Sequence, residues 1–527
     1  MMPSFPLKKV CIKPGALHTA IVMISQPVSP LTESGGYMSE GAPSPSLQRN
    51  AIGLREVTFQ SVTAMAPAAA VAASIPAGAG FAGGALPLAV LVALVACLFT
   101  AVSIGELASR VPAAGSLATY ASKSLHPIVG YFIGWGYVFV YALVPALVFL
   151  QLGFTVAGTL SSEIHGYPAS LWWPWSLAGM GIVFFLNYRG VTTSARAGTI
   201  LGSVEIVVFG VLAILFIVKA GSHNTLSAFS TTYTPKAFHG ITGVIAGSVY
   251  SLLAFAGFEA AAPLAEEAKS PRLTIRKAVL AATIGIGLFY VFTTYAVDVV
   301  FGPAKFATFN AASTWQSLAQ HFYGLFWILV FFAIINSTLA NANAGTNVST
   351  RMSFALARVH VFPQQLARIH PKFKSPDIAT ITQLVVTGAA VLILGFAFGP
   401  INGFALDGTI ITIVVVLVYI LMNLSSLVYF LRHERTGFRL FIHGVIPVLG
   451  MLVLIPAFLS GAGIPVFSFI SKLTAPASYA GPIVGVWLLL GVGFLLYKRA
   501  QSPDAISRIS HVFVDEAAEV AASLEEA

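Results

Sequence analysis

Charge is what this 527-residue sequence has least of: Asp, Glu, Lys and Arg together make up 9% of it, against roughly 25% in a soluble globular domain. That is too little polar surface to coat a water-soluble body of this size. Cysteine is nearly absent too. Cys11 and Cys97 are the two present, which excludes a disulfide framework and a cysteine-based metal site. Neither H-E-x-x-H nor G-x-S-x-G occurs, and most of the 11 histidines fall in tails or loops. Nothing therefore assembles a membrane-embedded metalloenzyme or serine hydrolase, and no cofactor or metal is expected. Rings of like charge that would line an ion channel are not evident either.

What fills the chain is apolar: 57% hydrophobic residues and a mean hydropathy of +0.85. A bilayer core takes about 20 apolar residues per helix. On that rule spans fall near 55–79, 85–109, 127–157, 171–189, 197–218, 239–265, 277–301, 322–350, 378–398, 405–431, 441–460 and 480–497. The expectation is an all-α integral membrane protein of twelve helices occupying residues 51–500, with a short helix at the outer surface within 302–322. Residues 1–50 hold clustered Pro, Ser and Gly, and Ala16–Ile24 is too short to cross. They read as a disordered cytoplasmic tail, with Met38 as a conceivable alternative start. Residues 501–527 read as an acidic cytoplasmic tail.

Placing the amino terminus in the cytoplasm puts 24 of the 28 Lys and Arg residues on that side; the exceptions are Lys219, Lys236, Lys305 and Lys472. The bias obeys the positive-inside rule and puts both termini in the cytoplasm. It also disposes of nucleic acid as a partner, because the +9 net charge is spread over many short loops with no concentrated basic arm.

Two spans break their own rules. The first carries Met65-Ala66-Pro67-Ala68-Ala69, with Pro67 twelve residues beyond Arg55, about 18 Å at the helical rise and so near mid-bilayer. Proline there removes a backbone donor. The sixth carries Phe255-Ala256-Gly257-Phe258-Glu259, a glycine beside a carboxylate deep in an apolar run. A kink and a close-packing glycine are the plain alternatives. Their occurrence in helices one and six, equivalent positions of two five-helix halves, favours discontinuous helices around a central substrate site. Free N–H groups at one half-helix suit a carboxylate, and free carbonyls at the other suit an ammonium. A zwitterionic amino acid matches that pair.

Three acids lie well inside spans: Glu205, Glu259 and Asp298. Intramembrane ionisable groups are costly and mark function. Glu205 is the candidate proton carrier, the alternative being a neutral structural acid. Glu259 is a second candidate, or else bonds the N–H groups freed by the helix-six break. Asp298 reads as interfacial, and Glu106 as a partner of a basic loop. In helix eight, Ser337 and Thr338 are candidates for a cation or proton site, and Asn336 joins the substrate set. Tyr141 and Tyr419, near the midpoints of helices three and ten, either line the cavity or simply pack.

Three stretches carry a resemblance. Phe255–Glu259 runs on through Glu266-Glu267-Ala268-Lys269-Ser270-Pro271-Arg272; Gly105-Glu106 leads to Arg110, Pro112, Gly115 and Tyr120; and helix eight ends in Asn343-Ala344-Gly345 through Arg351 to Arg358. Over residues 51–500 the chain resembles the amino acid permeases of the amino acid–polyamine–organocation superfamily. The resemblance implies twelve helices in a five-plus-five inverted repeat, alternating access, and substrate held at the breaks in helices one and six. Many members have a glycine-rich first break where this chain has Met65–Ala69. Some relatives place a lysine in helix five that stands in for sodium, and Glu205 falls at or near that position. The expected function is a secondary transporter of amino acids through the cell membrane, driven by protons rather than sodium. The alternatives are a polyamine or ethanolamine-like amine transporter, or an exchanger.

Overall fold

Mid-bilayer backbone must satisfy its own hydrogen bonds, so an apolar chain of this length has little choice but helix. The computed structural model describes residues 52–111, 116–189, 194–266, 268–309, 314–358, 362–372 and 375–501. The tails read at 1–50 and 501–527 (Gln501 apart) and the break at 112–115 lie outside the described residues. The long helices are α1 (Leu54–Met65), α2 (Leu86–Arg110), α3 (Pro127–Glu163), α4 (Trp172–Arg189), α5 (Ser194–Ala220), α6 (Ile241–Phe255), α7 (Pro271–Phe301), α8 (Phe326–Arg358), α9 (Asp377–Phe398), α10 (Pro400–Arg432), α11 (Ile446–Ala462) and α12 (Ala480–Gln501).

Ten stretches among the described residues are long and apolar enough to cross a membrane. The first, Leu54–Arg110, is 57 residues long, about 85 Å at the helical rise and far more than one ~30 Å core requires. It turns back at Gly83 (φ 57°). Two sets of neighbours establish the reversal. Gly84, just before α2, lies against Pro303, just after α7, while Leu94 and Gly105 of α2 lie against Gly287 and Arg276 of α7, so α2 runs antiparallel to α7. At the start of α1, Lys269 N–H, just before α7, donates to Ile52 O (2.9 Å), and at its end Tyr290 of α7 donates to Met65 O (2.7 Å), so α1 runs parallel to α7. Helix α4, at 18 residues, is not among the ten. The short helix Thr314–Tyr323 lies within the connection before α8.

The stretch from α1 to Gly78 and helix α6 are also antiparallel to each other. Gly78 meets Gly247 and Ala64 meets Gly257, while Ser61 reaches Phe258 and Ala261. Small residues at these contacts let the two backbones touch, which is how helices associate where lipid offers no hydrophobic drive. Polar side chains bond the rest of the bundle together: Asn423 of α10 donates to Thr100 Oγ1 (2.9 Å) and accepts from Ser103 (2.7 Å) on α2. Large apolar side chains such as Ile182, Val207, Leu288, Val385 and Leu489 point outward, the surface expected of a protein solvated by lipid.

At one end of the bundle Glu106 pairs with Arg276 (2.7 Å) and contacts His443 (3.4 Å). Its basic partner is thus the start of α7. Arg110 pairs with Glu434 nearby (3.2 Å).

Candidate functional site

Pro67 has no N–H with which to reach the carbonyl of Thr63, four residues earlier. The N–H of Ala66 takes that carbonyl instead (3.1 Å), and Ala66 turns left-handed (φ 48°, ψ 67°). Helix resumes at Pro67, and Ala70 N–H is the next to close, onto Ala66 O (2.8 Å). The N–H groups of Ala68 and Ala69 therefore open a half-helix, where first-turn donors have no partner four residues back. A π-turn at Ala70–Ser74 follows. Side chains cover the carbonyls this segment releases: Gln151 donates to Ala69 O (2.8 Å) and Trp315 to Val71 O (3.0 Å).

Across from it, α6 stops at Phe255. Ala256 is extended and Gly257 sits at φ 111°, before a 3-10 turn over Phe258–Glu266. A side chain at Gly257 would stand 2.8 Å from Ala64 O, so glycine is required both for the backbone angle and for the approach of the two breaks. Ser61 stitches them, donating to Phe258 O (2.7 Å) and accepting from Ala261 N–H (3.1 Å). Tyr290 of α7 reaches both: its hydroxyl lies 2.7 Å from Met65 O and 3.1 Å from Ala254 O. Asn341 of α8 donates to Ala64 O (2.6 Å).

A cavity of about 40 Å³ lies between the breaks, lined by Met65, Ala66, Ala69, Ala256, Gln151 and Asn341 among others, none of the lining residues being charged. Ligand pockets run from about 300 Å³ upward. The conformation described is thus a closed one, with room for a few waters.

Pro67 and Ala68 are buried in the break itself. Phe255 packs edge-on against Tyr290 (5.3 Å between centroids), and Phe258 packs on Tyr419 (4.9 Å). Neither phenylalanine lines the cavity. Nor do the two tyrosines. Tyr141 stacks on Tyr137 (5.3 Å), and Tyr419 donates to Glu259 Oε2 (2.7 Å). Thr338 is turned back onto its own helix, donating to Ile335 O (2.8 Å).

Glu259 is held by three donors. Tyr137 reaches Oε1 (3.0 Å), while Tyr419 and Gly257 N–H (3.1 Å) reach Oε2. The carboxyl therefore does bond an N–H freed by the break, and it ties that break to α3 and α10. Glu205 of α5 faces Ser337 and Asn336, and its Oε2 has no hydrogen-bond partner among the described residues. Asp298, read as interfacial, lies three residues from the end of α7 and is fully buried within the protein, with both carboxyl oxygens unpartnered among the described residues. The turns at 83–85 and 303–308 meet at that end of the bundle.

Several site residues were missed from sequence. Tyr290, Asn341, Gln151, Tyr137 and Ser61 all bond the breaks or Glu259; Gln151 was legible as a lone polar group in an apolar run, and Asn341 as a member of the polar run of helix eight. Asp407 of α10 was missed as well. It is fully buried, with no partner among the described residues.

A family model for amino acid permeases matches residues 56–505. Among curated proteins the chain is similar to the low-affinity putrescine importer PlaP of Escherichia coli, 27% identical over 60% of this chain and 68% of that one. It is similar to the branched-chain amino acid permease BcaP of Bacillus subtilis, 28% identical over 58% of this chain and 66% of that one. An uncharacterised transporter of Mycobacterium tuberculosis is 28% identical over 88% of this chain and 95% of its own length. With most of the chain matched and two broken helices meeting at mid-bundle, this is a multi-pass membrane transporter that belongs to the amino acid permease family.

Proposed function

We propose that the chain is a secondary transporter that moves amino acids across the cell membrane by alternating access, coupled to protons through Glu205. The observation that carries the substrate class is the uncharged lining of the cavity between the breaks. A ligand held there meets main-chain dipoles: the half-helix opened by Ala68 and Ala69 for a carboxylate, and the carbonyls of Ala64, Met65 and Ala254 for an ammonium. In the closed state Asn341 and Tyr290 occupy those carbonyls, standing in for the ammonium donor. A zwitterion brings both charges with it and needs no ionised side chain.

The antiparallel meeting of the first and sixth crossings supports a five-plus-five inverted repeat within twelve crossings. The charge bias supports cytoplasmic termini. The likeness to a putrescine importer favours a second reading, a diamine substrate. Glu259 is poorly placed for it, since its oxygens already hold three donors; Glu205, with one oxygen open, is the acid that reading would use.

Proteoliposomes offered radiolabelled leucine, alanine and putrescine, under an imposed pH gradient or a sodium gradient, test both points. Accumulation of an amino acid that follows the pH gradient and is lost in Glu205→Gln supports the proposal. Uptake of putrescine alone, or uptake that follows sodium and ignores pH, overturns it.

A further inference from the structure

If Glu205 carries the coupling proton as proposed above, a proton must reach it through the buried interior, and α7 carries a row of polar groups toward it. Tyr290, Thr294 and Asp298 stand four residues apart on α7, which puts them on one helical face and spaces them about 6 Å apart along the axis. All three are buried: Tyr290 and Asp298 have no exposed surface and Thr294 has 2%. The Thr294 hydroxyl and both Asp298 oxygens have no hydrogen-bond partner among the described residues, and neither has Glu205 Oε2. An unpaired buried polar atom is costly, and four of them, three on one face of α7 and one on Glu205, are a cost that packing alone does not explain.

The inner end of this row meets the site. Glu205 lies close enough to the Tyr290 hydroxyl to act on it electrostatically, and that hydroxyl bridges Met65 O and Ala254 O. The other end, at Asp298, is three residues from the last residue of α7. On the charge-bias reading this is the outer end, opposite Arg276 and Lys277. Among the described residues no charged side chain pairs with Asp298. Lys305, on the turn packed over that end, is exposed, as is Lys236, and Lys219 of α5 lies over the Phe322 ring. Tyr295, on the same helix, bonds Asn224.

We propose that Asp298, Thr294 and Tyr290 form the route by which protons from the outer side reach Glu205. A proton from outside binds the Asp298 carboxylate and passes, with water filling the 6 Å steps, to the Thr294 hydroxyl. Tyr290 gives its own proton to Glu205 and is reprotonated from Thr294. The net change is one proton moved from the outer solution to Glu205, with every hydroxyl restored. Because a phenol has one proton, turning it toward Glu205 releases the Met65 and Ala254 carbonyls, so the transfer touches both breaks.

The test uses the full chain in proteoliposomes loaded with a pH-sensitive dye, with leucine as substrate, or putrescine if the wild type carries that instead. Asp298→Asn and Thr294→Val should lower pH-driven accumulation and substrate-linked proton entry by at least about tenfold. Counterflow exchange of labelled substrate, which needs no net proton movement, should stay near wild type. Thr294→Ser should restore accumulation. Wild-type accumulation in Asp298→Asn, with Glu205→Gln inactive, overturns the route and leaves the coupling at Glu205 standing. Wild-type accumulation in Glu205→Gln overturns both. If Asp298→Asn loses counterflow as well, Asp298→Glu decides: recovery of exchange and accumulation together supports the route, and exchange recovered without accumulation overturns it.

Discussion

Gly257→Ala tests the closeness of the two breaks most directly. Two costs follow from the structure. The new methyl would stand 2.8 Å from Ala64 O and 2.9 Å from both the carbonyl carbon and the side chain of Ala64, and forcing a methyl into a filled site costs about 1–3 kcal/mol. The backbone at φ 111° is one an L-residue resists, adding about 1–2 kcal/mol. Together these come to about 2–5 kcal/mol, a factor of roughly 30 to several thousand in the equilibrium that holds the breaks together. Thermal unfolding of the purified protein in detergent, followed by tryptophan fluorescence, should shift down by several degrees, and uptake should be lost. Gly285→Ala is the control. It lies in the middle of α7 with nothing within 4 Å of the added methyl, and a helix interior prefers alanine by about 0.8–1 kcal/mol. Gly257→Ala unfolding and transporting like wild type would refute the reasoning, because the breaks would then not touch as described.

Two further outcomes are expected. Ala66 is held at φ 48°, where an L-residue pays about 1–2 kcal/mol that glycine avoids; Ala66→Gly should therefore unfold at an equal or higher temperature, and a marked fall would mean the left-handed turn is not present. A double-mutant cycle on Glu259→Gln and Tyr419→Phe should give a coupling energy of about 0.5–3 kcal/mol in detergent stability, the range for two residues in one hydrogen-bond network, and additive losses would break the assigned contact.

Much of this protein could be read along the chain, and for a simple reason. A bilayer demands apolar stretches of a set length with all backbone groups paired, so composition and run length alone announce membrane helices. The breaks were legible too, since Pro67 and Gly257 act locally: one lacks a donor and the other tolerates φ 111°. Which faces meet was not legible. Tyr141 and Tyr419 sit near mid-helix, yet one stacks on Tyr137 and the other bonds Glu259, because rotation about a helix axis is set by neighbours and not by depth. Asp298 reads as interfacial by its position along α7, yet its burial within the protein is set by neighbouring elements and not by its place in the helix. Tyr290, Asn341 and Gln151 acquire their roles only when three helices converge on carbonyls that the broken segments leave bare. The sequence by itself decided that the chain crosses the membrane and where its helices fail. Tertiary packing decided which side chains answer that failure, because a freed carbonyl is satisfied by whatever donor comes within about 3 Å, and proximity across helices is not encoded in local spacing.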